Sequence, residues 1–194
     1  VDDGSYDGTL QEITMPNITV ISLGKNYGKG AAVRVGMLYA GGDFVFFTDA
    51  DLPYPLSFIV EGTELLKSCS VVCGRRVGDY PYHRKIMSLL YNGYVRLVLG
   101  ISISDVQCGI KGFTRHACKE IFARCKFDGF AFDTEAIFLA EKLGFEIRSI
   151  DVPLTHRFSS SVSIIADSIQ MSIDVININR NFQKGEYNLQ KAFW

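Results

Sequence analysis

Short apolar runs alternate along the chain with longer segments of helical spacing, and this alternation predicts an α/β fold. The strongest run, DFVFFT at residues 43–48, is continuous, which is typical of a strand buried on both faces. Weaker strand patterns occupy residues 17–23, 70–74 and 145–152. Because helical patterns fill the intervals, we expect mostly parallel winding of the strands. Helices are predicted at residues 31–40, 56–67, 115–124 and 133–143.

The pattern changes after residue 74. Residues 75–83 have the composition of a polar loop, residues 85–99 predict a helix with a broad apolar face, and residues 112–114 predict a short strand. Residues 165–178 carry isoleucines at helical spacing, which indicates an amphipathic helix. We favour packing of this stripe on the core. Binding to a membrane surface is the alternative, although the polar face carries few Lys or Arg.

Composition narrows the class of protein. The chain has 194 residues, of which 47% are hydrophobic and 21% charged, as expected for a globular domain with a core. The net charge is −1, whereas a protein that binds nucleic acid usually has an excess of basic residues, so a nucleic-acid partner is not indicated. The five cysteines lack paired C-x-x-C spacing, which indicates reduced thiols. The sequence contains no run of about 18 apolar residues, the length that a helix needs to cross a bilayer. We predict one domain at residues 1–180 and a tail at 181–194.

Two carboxylates, Asp49 and Asp51, directly follow the apolar run that ends at Thr48. Ligands of open parallel sheets gather at the carboxyl ends of strands. Carboxylates one residue apart can share a hard cation such as Mg²⁺ or Mn²⁺, which completes its shell with phosphate oxygens. An Asx turn or a helix cap before Pro53 is the alternative. The position after a buried strand favours the metal site.

Two other segments point to a nucleotide. The opening VDDGS has the pattern of a strand end that meets a loop, so we expect the sheet to lack its usual first strand. There Asp2 and Asp3 can accept hydrogen bonds from a base or ribose, with Gly4 and Ser5 in a tight turn. The alternative is a capping loop with Ser5 or Asp7 at a helix N-terminus. In the run NYGKG, glycine amides and the ammonium of Lys29 suit a phosphate near a helix start, although such glycine turns are common.

Two downstream blocks, DVQCGIKGF at residues 105–113 and FAFDTE at residues 130–135, complete a recognisable order of motifs. Together the segments resemble family 2 glycosyltransferases of the GT-A fold, and the two blocks resemble the dolichyl-phosphate glucosyltransferase branch. Related mannosyltransferases usually carry SGFR where this chain has CGIK. The resemblance implies a Rossmann-like, mostly parallel sheet flanked by helices. It divides the domain into a nucleotide-sugar half, residues 1–74, and an acceptor half, residues 75–180.

The resemblance also implies roles for the charged residues that would bind the donor and the lipid phosphate. Asp49 and Asp51 would hold the divalent cation and the donor diphosphate, and Asp2 and Asp3 would lie near the nucleoside. Basic positions of the acceptor loop would receive the lipid phosphate, although a solvated loop is the alternative for them. These basic positions are Arg75, Arg76 and Arg84.

Five residues of the downstream blocks match positions that surround the sugar in the family. Three of them would face the sugar and the reacting centre, and the last two would line or brace the same pocket. For the last two, a favourable interaction with a helix dipole is the alternative. The five are Asp105, Gln107, Lys111, Asp133 and Glu135.

The resemblance implies an inverting transfer of glucose from UDP-glucose to a polyprenyl (dolichyl) phosphate. It places the protein at the cytoplasmic side of a membrane, the endoplasmic reticulum in a eukaryote, and it allows a homo-oligomer. One alternative is a family 2 enzyme that uses GDP-mannose, another sugar or a polysaccharide acceptor. The other is a non-catalytic, truncated nucleotide-sugar-binding protein. A Rossmann dehydrogenase is excluded because no G-x-G-x-x-G follows a first strand.

Overall fold

The computed structural model describes residues 1–78, 82–153 and 164–189, with the side chains of residues 82–85 and 164–167 outside the description. In these parts of the chain four strands form one sheet in the order β1-β3-β2-β4. β2 and β4 are parallel, whereas β3 is antiparallel to both of its neighbours, so the other three strands share one direction. The strands are β1 (Phe44–Phe47), β2 (Val71–Val77), β3 (Lys111–Thr114) and β4 (Ile147–Pro153).

The predicted α/β sheet flanked by helices is confirmed, and it is a mixed sheet because β3 lies antiparallel between β1 and β2. Gly112 of β3 allows this close approach, since a Cβ there would overlap the ring of Phe46 on β1 and contact Val72 on β2. The two rows of side chains beside β3 therefore close over its glycine. The short strand predicted at residues 112–114 gains one residue, Lys111.

The predicted helices are confirmed, with small shifts of their ends. The largest shift is in the predicted polar loop at residues 75–83. β2 continues through Arg75 and Arg76, which pair in register with Asp151 and Val152 of β4, and α3 begins at Tyr82. The helices are α1 (Lys29–Tyr39), α2 (Ser57–Leu65), α3 (Tyr82–Leu99), α4 (Arg115–Phe122), α5 (Phe132–Lys142) and α6 (Ile164–Gln183).

The strand predicted at residues 17–23 is wrong. Only Ser22 forms a bridge, to Asp2, through hydrogen bonds of 2.8 Å from Asp2 N to Ile21 O and 2.9 Å from Leu23 N to Asp2 O. A ladder needs a run of paired residues, and this segment has a single bridging partner. The first strand of the described sheet is therefore β1, and its edge away from β3 borders a cavity of about 330 Å³ lined in part by Val45.

The continuous apolar run predicted that β1 is buried on both faces, but only one face is fully buried. Val45 and Phe47 are buried in the larger core, which packs α1, α4, α5 and α6 against one face of the sheet. Phe44 and Phe46 are half-buried and pack with α2 in a smaller core on the other face. α5 is buried through most of its length, so it forms the centre of the larger core.

The C-terminal helix differs from its prediction in two ways. It continues beyond residue 178 to Gln183, and Tyr187 after it is buried in the larger core. The isoleucine stripe does not pack on the core, because three of its members are exposed and Val175 and Ile178 face inward instead. None of the described helices is long and apolar enough to cross a membrane. The exposed members of the stripe are Ile169, Ile173 and Ile176.

Candidate active site

The acidic pair predicted to bind a cation lies just beyond β1. The carboxylate of Asp49 accepts a hydrogen bond of 2.5 Å at Oδ1 from Nζ of Lys29, the first residue of α1. The backbone of the same segment forms a turn in which Leu52 N donates to Asp49 O over 3.0 Å. The side chain of Asp49 thus pairs with a cation while its backbone closes the turn, and Asp51 is exposed to solvent.

A second ion pair lies at the start of β3. Lys111 is fully buried, and its Nζ donates to Asp133 Oδ1 and to the Cys108 carbonyl oxygen, each over 2.6 Å. Burial alone would lower the pKa of Lys111, but the facing carboxylate of Asp133 raises it above its ordinary value. Lys111 therefore carries a positive charge at neutral pH, inside the core.

The two ion pairs are neighbours. The rings of Phe47 and Phe132 lie 5.7 Å apart, with Nζ of Lys111 5.5 Å from the first centroid and Nζ of Lys29 5.9 Å from the second. The charges of Lys29 and Asp49 both reach Asp133. The starts of α1, β3 and α5 and the end of β1 meet here, which brings together four predicted site residues. We call this group the charged cluster: Lys29, Asp49, Lys111 and Asp133.

Gly109 places backbone against the charged cluster. A Cβ at this position would overlap Oδ2 of Asp49, so only glycine allows the approach. The amide of Gly109 donates over 3.3 Å to the hydroxyl oxygen of Tyr54, which is buried in the segment between β1 and α2. The CGIK block therefore supplies both the buried Lys111 and the backbone that covers one side of Asp49.

Asp105 and Arg76, predicted for different roles, are partners. Nε and Nη2 of Arg76 donate to the carboxylate over 2.8 and 2.7 Å, and its backbone amide donates over 3.1 Å. Burial would raise the pKa of Asp105, but the guanidinium holds it below its usual value. The positive charge of Lys111 also helps to lower the pKa of Asp105.

Two of the three arginines predicted to bind phosphate, Arg75 and Arg76, have different partners. Arg75 precedes Arg76 on β2 and points to the opposite face, because successive strand residues alternate. There it is exposed and donates to Asp151 over 2.5 and 2.9 Å. Arg84 lies in the first turn of α3, and its side chain is outside the described part of the structure. Gln107 lies near α6, with Nε2 4.0 Å from Sδ of Met171.

The two N-terminal aspartates are engaged by the backbone. Asp2 accepts hydrogen bonds from the amides of Gly4 and Ser5, and the bonds from Ser5 lower its pKa. Asp3 accepts from the amides of Tyr27 and Gly28 over 2.7 and 2.8 Å. These contacts tie the start of the chain to the loop before α1. Contact with a nucleoside stays a prediction.

The glycine-rich run serves packing more than anion binding. The amides of Gly30 and Ala31 donate to the carbonyl oxygen of Asp128 over 2.7 and 3.3 Å, so the first turn of α1 is already capped. A Cβ at Gly30 would overlap the Phe127 carbonyl oxygen. The expectation that these amides approach a phosphate is therefore corrected, and Lys29 is the group of this run that faces the charged cluster.

Glu135 does not join the charged cluster. It is buried, and its carboxylate accepts from the amides of Lys126 and Phe127 and from the hydroxyl of Tyr187. Burial raises the pKa of Glu135 against the effect of these hydrogen bonds. The structure thus gives Glu135 the task of holding the segment whose Asp128 carbonyl caps α1. Asp128 and Tyr187 were missed from the sequence because both contacts join distant segments.

The oxygen atoms of the acidic pair suit a divalent cation in their chemistry. Mg²⁺ and Mn²⁺ prefer carboxylate oxygens and keep several sites for phosphate and water. Within residues 1–78, 82–153 and 164–189, no three His, Cys, Asp or Glu side chains form a group that could hold a metal alone. Asp49 and Asp51 therefore fit a cation that arrives with a phosphate-bearing ligand.

Comparison with known proteins identifies similar chains. The sequence profile of Glycosyl transferase family 2 matches residues 1–122. Dolichyl-phosphate beta-glucosyltransferase of Dictyostelium discoideum is 29% identical, over 98% of this chain and 64% of the relative. The proteins of the same name from Saccharomyces cerevisiae and Homo sapiens are 31% and 28% identical and are each covered to 66%. The chain spans about two thirds of the length of these relatives.

Solved structures confirm the predicted GT-A fold. Mannosyl-3-phosphoglycerate synthase from Rubrobacter xylanophilus has a TM-score of 0.64 at 21% identity, covering 100% of this chain and 65% of that structure. Glucosyl-3-phosphoglycerate synthase from Mycobacterium tuberculosis, in complex with Mn²⁺ and UDP-glucose, has a TM-score of 0.62 at 19% identity, covering 92% and 66%. Since the family profile matches well over half of its residues, the chain belongs to glycosyl transferase family 2.

Proposed function

We propose that the chain is the catalytic domain of an inverting glycosyltransferase that moves glucose from UDP-glucose to a polyprenyl phosphate such as dolichyl phosphate. The observation that carries this proposal is the side chain of Asp49, which points from the end of β1 into the charged cluster. The names of the relatives support glucose and dolichyl phosphate as donor sugar and acceptor. The match of the CGIK block to that branch supports the same choice over a mannosyl donor.

The donor diphosphate would lie beside Asp49 and Asp51, which would hold Mg²⁺ or Mn²⁺. A neighbour of the same fold binds Mn²⁺ together with UDP-glucose, which supports this site. When bound, the cation stabilises the negative charge that develops on the departing diphosphate. Lys29, half-buried at the start of α1, adds a positive charge on the same side. Asp2 and Asp3 shape the loops where the nucleoside would bind.

Bond formation needs little proton transfer from the protein. The second pKa of a phosphate monoester is near 6, so the acceptor is mostly ionised at neutral pH. One of its oxygens bonds to C1 of glucose, and the electron pair of the C1–oxygen bond leaves with UDP. Lys111 supplies a fixed positive charge near this centre, and Asp133 holds it in place. Asp105 and Gln107 would face the sugar, with Arg76 fixing Asp105.

The lipid phosphate would approach from β2 and α3. Arg76 and Arg84 lie on these two elements and remain our candidates for the phosphate contact. Arg75 is a weaker candidate, because it pairs with Asp151 on the other face of β2. The nucleophile would be held in line by guanidinium groups, whose planar fork matches phosphate oxygens.

Exposed apolar side chains support contact with a membrane surface. α3 and α6 pack against each other, with the Tyr94 hydroxyl donating to the Ser172 carbonyl over 2.9 Å. Each helix carries an apolar stripe that the rest of the described protein leaves exposed. A polyprenyl tail would stay in the bilayer while its phosphate enters the site, so we place these stripes at the membrane. The residues are Ile86, Leu89, Leu90 and Leu97 of α3 and Ile169, Ile173 and Ile176 of α6.

The test is transfer of label from UDP-[¹⁴C]glucose to dolichyl phosphate by the purified protein with Mg²⁺ or Mn²⁺. We expect labelled lipid that disappears with a chelator, and Asp49→Asn should lower transfer by about a hundredfold or more, as for other groups that stabilise transition-state charge. Asp43→Asn is the matched control, since Asp43 lies at the opposite end of β1 and is exposed.

Three results would change the proposal. If UDP binding remains metal-dependent in Asp49→Asn, Asp49 is not a ligand of the metal. Stronger competition by GDP-mannose than by unlabelled UDP-glucose would favour the alternative donor. UDP binding without any labelled lipid would favour a non-catalytic nucleotide-sugar-binding protein.

A further inference from the structure

Lys29 occupies the position beside Asp49 that a divalent cation would need. Its Nζ lies 2.5 Å from Oδ1 of the carboxylate. Oδ2 lies so close to Gly109 that a Cβ there would overlap it. One oxygen of Asp49 is thus paired with an ammonium group and the other is covered by backbone. A cation that binds Asp49 must share this carboxylate with Lys29 or displace it.

The other carboxylate of the charged cluster already has a cationic partner. Asp133 is bonded to the buried Lys111 over 2.6 Å, and the pair is closed by the Cys108 carbonyl. An ammonium displaced from Asp49 would therefore pair best with an anion that has no cation of its own, from outside the charged cluster. The diphosphate of a nucleotide is such an anion, and it would arrive at the same end of β1.

Movement of Lys29 is confined to its side chain. The backbone on both sides is fixed, because Gly28 N donates to Asp3 and Gly30 N donates to the Asp128 carbonyl. The side chain itself is 34% exposed and sits on a flexible four-carbon stem. The ammonium can therefore turn from Asp49 toward a bound phosphate while the start of α1 stays in place.

We propose that Lys29 couples the binding of the divalent cation to the binding of the nucleotide diphosphate, an inference that rests on the metal site of the proposed function. Without nucleotide, the ammonium competes with the cation for Asp49. With a diphosphate bound, the ammonium pairs with phosphate and leaves Asp49 to the cation. By linkage, each ligand raises the affinity for the other by the same factor.

The test measures Mn²⁺ affinity from the electron paramagnetic resonance signal of the free ion, with and without UDP. In Lys29→Gln we expect Mn²⁺ alone to bind up to about fivefold more tightly, the range for loss of a competing, partly exposed charge. The gain in Mn²⁺ affinity caused by UDP should shrink in this variant. Lys29→Arg, which keeps the charge, should stay close to the unaltered protein.

Lys25→Gln is the matched control, because Lys25 is exposed in the same loop with its ammonium over the Tyr27 ring. It removes the same charge and should leave Mn²⁺ affinity unchanged. Lys29→Met gives a second variant without charge, and circular dichroism melting confirms that each protein is folded.

The outcomes separate this inference from the proposed function. The coupling role is overturned if Lys29→Gln and Lys29→Met bind Mn²⁺ alone no more tightly than the unaltered protein does. If Asp49→Asn then still abolishes Mn²⁺ binding in the presence of UDP, the metal site stands and only the role of Lys29 falls. Mn²⁺ and UDP binding that is unaffected by Asp49→Asn overturns both.

Discussion

The buried ammonium of Lys111 is the most tightly held charge of the site. It is enclosed by Asp133, the Cys108 carbonyl and the ring of Phe47. Because Lys111 is fully buried, its charge interacts with neighbouring charges through a low-dielectric interior. These interactions are stronger than those of a charge at the surface. The same burial makes the site sensitive to loss of either partner, since the remaining charge would lack a counter-ion.

Asp133→Asn should therefore lower the free energy of unfolding by about 3 kcal/mol, the usual cost of breaking a buried ion pair on one side. The double variant Lys111→Met/Asp133→Asn should recover part of this loss, because no charge is left buried. Urea unfolding of the single and double variants measures both effects. A single variant whose free energy of unfolding lies within about 1 kcal/mol of that of the original protein would contradict a buried ion pair.

Asp105, paired with Arg76, makes the stability of the protein depend on pH in the acid range. Its pKa lies below the usual 3.8 in the folded protein, so its contribution to stability is present above 3.8 and is lost as the pH falls through the lower, folded value. Asp105→Asn should therefore lose less stability than the original protein between neutral pH and about pH 3. Urea unfolding at the two pH values measures the difference, and identical losses in both proteins would contradict the assignment.

Some of these residue contacts were predictable and others were not. Asp49 directly follows an apolar run, which was enough to predict a site there, and the resemblance to the family implied that Lys111 and Asp133 belong to the sugar pocket. Asp3 and Glu135 belong to the same motifs but bond to backbone amides of distant loops. The sequence of a carboxylate does not show whether an amide or a ligand will reach it first.

At the scale of elements, local periodicity predicted the helices well and the strands less well. A helix satisfies its backbone within its own segment, whereas a strand needs a partner. Residues 17–23 have the composition of a strand but pair only through Ser22. Arg75 and Arg76 have the composition of a loop but extend β2, because β4 lies beside them. Pairing over long distances decided both cases.

The start of α1 provides a prediction for an element. Gly30→Ala should destabilise the protein by about 1–3 kcal/mol, the range for overpacking, because the new Cβ meets the Phe127 carbonyl and the side chain of Phe132. It should also weaken UDP binding by displacing Lys29. Thermal unfolding and UDP titration measure these effects. Gly41→Ala, where a Cβ meets open space, is the control and should change neither quantity.

At the scale of the whole molecule, the charged cluster and the exposed apolar stripes are two regions of different chemical character. The charged cluster lies at one end of β1, and the exposed apolar stripes lie on α3 and α6. Arg76 connects the regions, since its guanidinium also donates to Ser88 of α3 over 3.2 Å. A polar reaction centre beside an apolar surface suits an acceptor that has a phosphate head and a hydrocarbon tail.

Membrane contact can be tested on the surface of α3. Leu97→Gln, at a side chain that is 86% exposed, should lower binding to lipid vesicles containing dolichyl phosphate by up to about tenfold, from the transfer free energy of leucine. Stability should not change, because Gln and Leu have similar helix propensity. Sedimentation with vesicles measures binding. Val60→Gln on α2 is the control, and equal losses in both variants would argue against a membrane face on α3.

The metal site is tested most directly by a crystal structure of the protein soaked with Mn²⁺ and UDP, with the ion located by anomalous scattering. We expect a peak about 2.0–2.5 Å from a carboxylate oxygen of Asp49, bridged to the diphosphate, with the ammonium of Lys29 turned toward phosphate. A diphosphate bound without an ion at the end of β1, or an ion bound elsewhere with Asp49 still paired to Lys29, would rule out this metal site.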